Sequence, residues 1–217
     1  MTPLPRTVIA LAPTVVATTL LGACAPTTRL ASSWVDPTHT GHAYRKIAVV
    51  GITPSSTLRR QYENAFAAAL AKRGAPAVAS FTLLGEGRAE PAAAEARFHE
   101  SGVDGVILTR LVDRESRHAY VPPQATRAHA PSTGAGGWYD DYARGPAYTT
   151  APADSGANQI HRLESHFYDL ANDRLVWSGV TETVLQPGDH TDDEIQPVID
   201  ELLTGMQKSK VLASGKP

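Results

Sequence analysis

The chain has 217 residues, with 20 lysines and arginines against 22 aspartates and glutamates, eight histidines and one cysteine. That length suits a single domain with appended segments, and a net charge of −2 lacks the clustered cationic footprint of a nucleic-acid binder. One cysteine excludes an intrachain disulfide, so the fold must stand on its core alone.

Arg6 leads an apolar run from Thr7 to Leu20, which ends in Leu21-Gly22-Ala23-Cys24. A basic start, an apolar stretch of roughly 7–15 residues and small residues before a cut make up a secretory signal. The only thiol, placed directly after those small residues, resembles a bacterial lipobox. The resemblance implies that residues 1–23 are a lipoprotein signal peptide and that Cys24 becomes the mature amino terminus. Its sulfur would carry a diacylglyceryl group and its nitrogen an acyl chain such as palmitate. Ala25, in place of an aspartate, implies transfer to a Gram-negative outer membrane with the domain facing the periplasm. Each buried methylene contributes about 0.8 kcal/mol and stable anchoring takes more than one chain, so such an anchor needs no basic patch. Two other readings stand beside it: an ordinary signal with an incidental cysteine, and a membrane-spanning anchor. The second is disfavoured, because Thr7–Ala23 falls short of the roughly 20 apolar residues of a spanning helix and contains Pro13.

Residues 24–42, rich in Pro, Thr, Ser and Gly, read as a lipidated tether, interrupted by Trp34-Val35-Asp36-Pro37, with Trp34 docking on its own domain in preference to a partner. A single domain is expected over 43–212. Lys46 to Ile52 is a short apolar β-branched run, the pattern of a buried central strand. A helix follows, capped by Ser55, Ser56 or Thr57 and stopped at Gly74. Its apolar face is Leu58, Tyr62, Ala65, Phe66, Ala69 and Leu70, with Arg59, Arg60, Glu63 and Lys72 toward water. Ala77–Phe81 reads as a strand, Ala89–Ser101 as a helix with Pro91 in its first turn, and Val103–Val112 as a third strand. The order β-α-β-α-β favours parallel pairing with right-handed crossovers.

Residues 122–157 form a long Pro/Gly/aromatic-rich loop, a length that is usually functional or disordered. Gln159–Leu170 and Leu175–Leu185 then read as a hairpin turning at Ala171-Asn172-Asp173, with Leu163, Phe167, Leu175 and Trp177 facing the core. The chain closes with a helix from Thr191, where Thr191 and Glu194 suit a capping box and Ile195, Val198, Ile199, Leu202, Leu203 and Met206 form a stripe. Pro197 would kink that helix or start it. The fold class expected is α/β (α+β), one mixed sheet: β-α-β-α-β, then a β-hairpin and a C-terminal helix.

Chemistry is sparse. No HExxH, CxxC or similar ligand spacing appears, so no metal or cofactor is expected beyond the covalent lipid at Cys24. His161 and His166, five apart in one strand, point to opposite faces, and the histidines read as scattered and solvated. Asp140-Asp141 sits in a Gly-rich loop without the rigid, desolvated setting that separates acid from base. Ser178-Gly179 lacks a nucleophile-elbow context, and Gly85-Glu86-Gly87 lacks the lysine and third glycine of phosphate loops. Trp138, Tyr139 and Tyr142 are the candidate partner-binding residues, because Trp and Tyr carry much of interface energy; the competing reading packs them on their own sheet.

Several phrases together resemble a group of small, largely uncharacterised bacterial envelope lipoproteins. They are Trp34-Val35-Asp36-Pro37, Lys46-Ile47-Ala48-Val49-Val50, Arg59-Arg60 with Glu63, Ala77-Val78-Ala79-Ser80, Asp104-Gly105-Val106-Ile107-Leu108, Tyr168-Asp169 and Leu175-Val176-Trp177-Ser178. The β-α-β-α-β core also resembles envelope modules of the curli-secretion lipoprotein and of outer-membrane activators of peptidoglycan synthases, a likeness that brings no active site. The function expected is a non-catalytic membrane-anchored lipoprotein that meets the bilayer through Cys24 and binds another envelope component by the aromatic loop or a strand edge. The alternative is an envelope hydrolase with a histidine–aspartate site assembled in three dimensions, for instance from His161, Glu164 and Asp169.

Overall fold

The computed structural model describes residues 26–41, 43–87, 89–117, 137–144 and 157–212. Residues 1–23, Cys24, and most of the 122–157 loop lie outside them. The described residues form six strands, β1 (Thr27–Val35), β2 (Ile47–Ile52), β3 (Ala77–Ala79), β4 (Gly105–Arg117), β5 (Asn158–Asp169) and β6 (Arg174–Leu185). With them are helices α1 (Ser56–Lys72), α2 (Phe81–Leu84), α3 (Pro91–Glu100), α4 (Trp138–Arg144) and α5 (Ile195–Lys208). One mixed sheet runs β1-β6-β5-β4-β2-β3. β2 pairs in parallel with β3 and β4, and the other neighbours are antiparallel. The α+β class, the mixed sheet and the C-terminal helix are as expected.

Each face of the sheet has its own core. Phe66, Leu70, Ile107, Phe167, Trp177, Ile199 and Leu202 lie on the face covered by α1 and α5. Ala48, Val50, Phe98, Leu108, Trp138, Tyr142 and Tyr168 lie on the face that α3 and α4 cover. β2 is buried along its whole length, which explains its unbroken apolar sequence. Ser55 caps α1 by accepting the Leu58 N–H at 3.2 Å, and Gly74 ends it at φ +80°.

The largest departure from expectation is β1. The tether reading fails for Thr27–Val35, which pairs antiparallel with β6 from Thr27↔Val184 to Val35↔Trp177. Its side chains alternate between exposed and half-buried, as on an edge strand, and its Thr, Ser and Arg residues disguise that alternation as linker composition. Thr28 and Thr183 hydroxyls share a hydrogen bond of 3.0 Å, and Arg29 Nη2 donates to Glu182 Oε1 at 3.0 Å. Trp34 does dock on its own domain, against the α3 face.

Smaller corrections have local causes. β3 stops at Ala79 because Glu63 takes the Ser80 hydroxyl and the Phe81 N–H, at 2.8 and 2.9 Å, and turns the chain into α2. Leu175 and Trp177 do not share a face. The β5–β6 register shifts at Phe167/Tyr168, so that Phe167 opposes Trp177 while Tyr168 opposes Leu175. This bulge sends Leu175 to the α3 face and Trp177 to the α1 face. The capping box near the last helix is formed by His190 and Asp193, one residue earlier than expected, over a 3-10 turn at Thr191–Glu194. Pro197 lies in the first turn of α5, where its missing N–H removes nothing.

Candidate crevice and buried charge clusters

α1 leaves the carboxyl end of β2 on the face that it shares with α5. In open α/β sheets ligands bind outside the carboxyl ends of the parallel strands. A cavity of about 430 Å³ opens there, walled by Ile52, Leu58, Leu111, Leu163, Ile195 and Val198. A second crevice of about 330 Å³ lies beside it, lined by Val50, Pro54, Arg59, Gly87 and Tyr142 among others.

Beneath these crevices the sheet carries buried charge. Arg110, in β4 just after the apolar run Val106-Ile107-Leu108, donates through Nη1 to Asp141 Oδ1 on α4 and through Nη2 to Glu164 Oε2 at 2.8 Å. His166 Nδ1 meets Asp141 Oδ2, and its Nε2 lies 3.2 Å from Glu164 Oε1. Tyr168 donates its hydroxyl to Asp141 Oδ2 at 3.0 Å. Both ring nitrogens therefore face carboxylate oxygens, an arrangement that only the doubly protonated imidazolium satisfies with two donors. Two cations then balance two carboxylates. Burial opposes the charge on His166, but the hydrogen bonds it donates to Asp141 and Glu164 outweigh that and raise its pKa above the usual value. Burial likewise raises the Asp141 carboxyl, and the His166 hydrogen bond with the nearby His166 and Arg110 charges overcomes it, leaving the pKa below the usual range.

This cluster corrects two expectations. The histidines are not all solvated, since His161 and His166 are 0% and 1% exposed. Asp141 is 2% exposed, so its setting is rigid and desolvated. The candidate partner-binding residues pack on the domain itself: Trp138 and Tyr142 are buried against the α3 face and Tyr139 is half-buried. Trp138 packs on Phe98 with ring centroids 5.2 Å apart. The Asp173 carboxylate, at the hairpin turn, accepts the Trp138 N–H at 3.0 Å and fills the space a side chain at Gly137 would need.

A second cluster secures α1. Glu63 accepts from the Gly51 N–H, Arg59 Nε and the Ser80 hydroxyl through Oε1, at 2.9, 2.9 and 2.8 Å. Arg59 also donates to the Ser80 hydroxyl at 3.0 Å and to the Glu86 and Gly87 carbonyls at 3.2 Å. Arg59 and Glu63, expected in water, are therefore buried, and Gly85-Glu86-Gly87 is the turn that caps them. Arg60 stays exposed.

His161, Glu164 and Asp169 do not come together. His161 leaves the α5 face, its Nδ1 2.9 Å from Glu194 Oε1, whereas Glu164 leaves the α4 face. Asp169 Oδ1 caps the hairpin turn at the Ala171 N–H. The opposite facing of His161 and His166 was legible, and the same alternation aligns Glu164, His166 and Tyr168 on one face. That alignment, with Arg110 close behind the apolar run Val106-Ile107-Leu108, was the signal for the cluster. Among the described residues no group of three or more His, Cys, Asp or Glu is placed to hold a metal ion.

The fold and crevice define a one-sheet α+β domain with a ligand-sized cleft at the carboxyl ends of its parallel strands. No family model matches the chain, and no curated protein does. It is similar to the PelC dodecamer from Paraburkholderia phytofirmans, at 13% identity and a TM-score of 0.47, over 84% of this chain and 97% of that one. It is also similar to lipoprotein GNA1162 from Neisseria meningitidis, at 12% identity and a TM-score of 0.40, over 75% and 98%. At these identities and scores the similarities carry no argument about function.

Proposed function

We propose that this chain is a non-catalytic, lipid-anchored envelope protein, held in the outer membrane by acylated Cys24 with its domain in the periplasm. In this reading it binds an envelope protein by strand addition to β1. The observation that carries the proposal is the position of β1. It opens at Thr27, three residues after Cys24, and among the described residues it ends the strand order with a neighbour on one side only. Three extended residues span about 10 Å, so the anchor leads almost directly into a nine-residue edge strand. An edge of this kind recruits a partner strand by main-chain hydrogen bonds. The Leu30 N–H turns away from β6 to Glu201 Oε2, 3.3 Å away, and Thr28, two residues earlier, has the same orientation. A non-catalytic role is supported by the burial of His161 and His166, each already held by carboxylates.

The test places a photocrosslinking residue at exposed Ser33 in native envelopes, with and without Thr28→Pro. Proline at an outward-facing edge position removes a donor without breaking the sheet. A discrete crosslinked product that Thr28→Pro abolishes is expected; the same product in both proteins would remove β1 as the contact. A fatty-acid probe on wild type and Cys24→Ser tests the anchor separately.

A further inference from the structure

The crevice between α1 and α5 holds polar groups that the fold leaves unsatisfied. Glu194 lines it and is 6% exposed, and its Oε2 has no hydrogen-bond partner among the described residues. Arg114 also lines it, with a buried Nε in the same condition. Arg114 reaches this face through an irregularity. The β4–β5 register shifts between Leu111 and Asp113, so Leu111 opposes Leu163 while Arg114 opposes His161. Strict alternation from Leu111 would have sent Arg114 to the other face. Bulges that re-aim one side chain gather beside functional sites, and a buried polar atom left without a partner is costly.

The crevice also carries charge of both signs. Glu194 and exposed Asp192 line its α5 side. Arg114 and the N-terminus of α1, which has no acidic residue in its first turn, line it too, and Arg114 lies across the sheet from His161, whose Nδ1 is 2.9 Å from Glu194 Oε1. Arg110 reaches the lining too, but its guanidinium is committed to Asp141 and Glu164. The six aliphatic side chains already named share the walls with Gln61, Tyr62 and Thr109. We infer that this crevice binds a single-chain amphiphile whose head group is zwitterionic, its ammonium on Glu194 and its anion at Arg114 and the α1 N-terminus. The position suits a lipid. Thr27 lies on the same row of the sheet as Val184, Ile160 and Glu115, so the crevice opens at the end where β1 begins. If Cys24 is acylated as proposed, that end faces the bilayer.

The test uses the full chain carrying Cys24→Ser, so its outcome is independent of the anchor. Lysophosphatidylethanolamine and lysophosphatidylglycerol are titrated below their micelle concentrations by calorimetry. One-to-one binding is expected, at least tenfold tighter for the ethanolamine lipid. Glu194→Gln should erase that preference, and filling the mouth with Leu58→Trp should abolish binding of both. Ile195→Trp serves instead if Leu58→Trp lowers the melting temperature. No binding by the Cys24→Ser chain, binding that survives the filling variants, or equal affinity for the two lipids overturns the inference.

Discussion

The Asp141 carboxylate on α4 closes onto the Arg110 guanidinium of β4, 31 residues away, with both side chains buried. That pair, with His166 and Tyr168 on the second carboxylate oxygen, binds the one described piece of the long loop to the sheet. Residues 138–144 of that Gly- and Pro-rich stretch are thereby joined to the core.

Asp141→Ala should destabilise the domain by about 3–5 kcal/mol, the cost of stranding a buried charge. Urea unfolding measures it. Limited proteolysis should show new cleavage within 137–144, where Trp138 and Tyr142 lose their seat.

Stability should fall on both sides of a plateau. Asp141 has a lowered pKa, so its contribution is complete above the ordinary carboxylate range of about 4 and is lost as pH falls through its folded value. His166 has a raised pKa, so its contribution is complete below about 6.5 and is lost as pH climbs through its folded value. The groups facing them are Arg110, Glu164, Tyr168 and the exposed Arg144, 3.9 Å from Asp141. Melting temperature against pH should show the alkaline decline in wild type and lose it in His166→Gln.

Glu63→Ala should cost about 3–5 kcal/mol, because it leaves Arg59 unpaired and deprives the Gly51 and Phe81 N–H groups of their acceptor. Arg60→Ala, on the exposed neighbour, should change stability by under about 1 kcal/mol. Chemical denaturation of the two variants makes the comparison.

Gly179→Ala should be destabilising by about 1–3 kcal/mol. A β-carbon there would stand 2.3 Å from the Trp177 indole, which lies across that glycine. Unfolding curves give the cost, and a change in buried tryptophan emission reports the displaced ring.

Deleting residues 27–35 separates a strand from a tether. A tether could be removed silently. Loss of β1 should lower the melting temperature and promote aggregation, since it uncovers the β6 edge and the Leu30 contact beside Gly205.

What the sequence disclosed follows from how local each signal is. β2, α1, α3, the β5–β6 hairpin and the stripe of α5 announce themselves within a dozen residues, by apolar runs, caps and 3.6-residue spacing. β1 did not, because an edge strand needs few apolar residues. Arg59 and Glu63 were misplaced because a helical wheel cannot show that a backbone N–H at Gly51 awaits a carboxylate. Leu175 was assigned to the wrong face because a bulge is invisible to period-2 counting. Arg110 meets carboxylates 31 and 54 positions away, which no spacing rule reaches.

The most direct test of the account is mass spectrometry of the amino-terminal peptide from protein extracted from its native membrane. The anchored reading predicts a chain beginning at Cys24 and bearing a diacylglyceryl group and an N-acyl chain. A mature terminus elsewhere, or an unmodified Cys24, contradicts it.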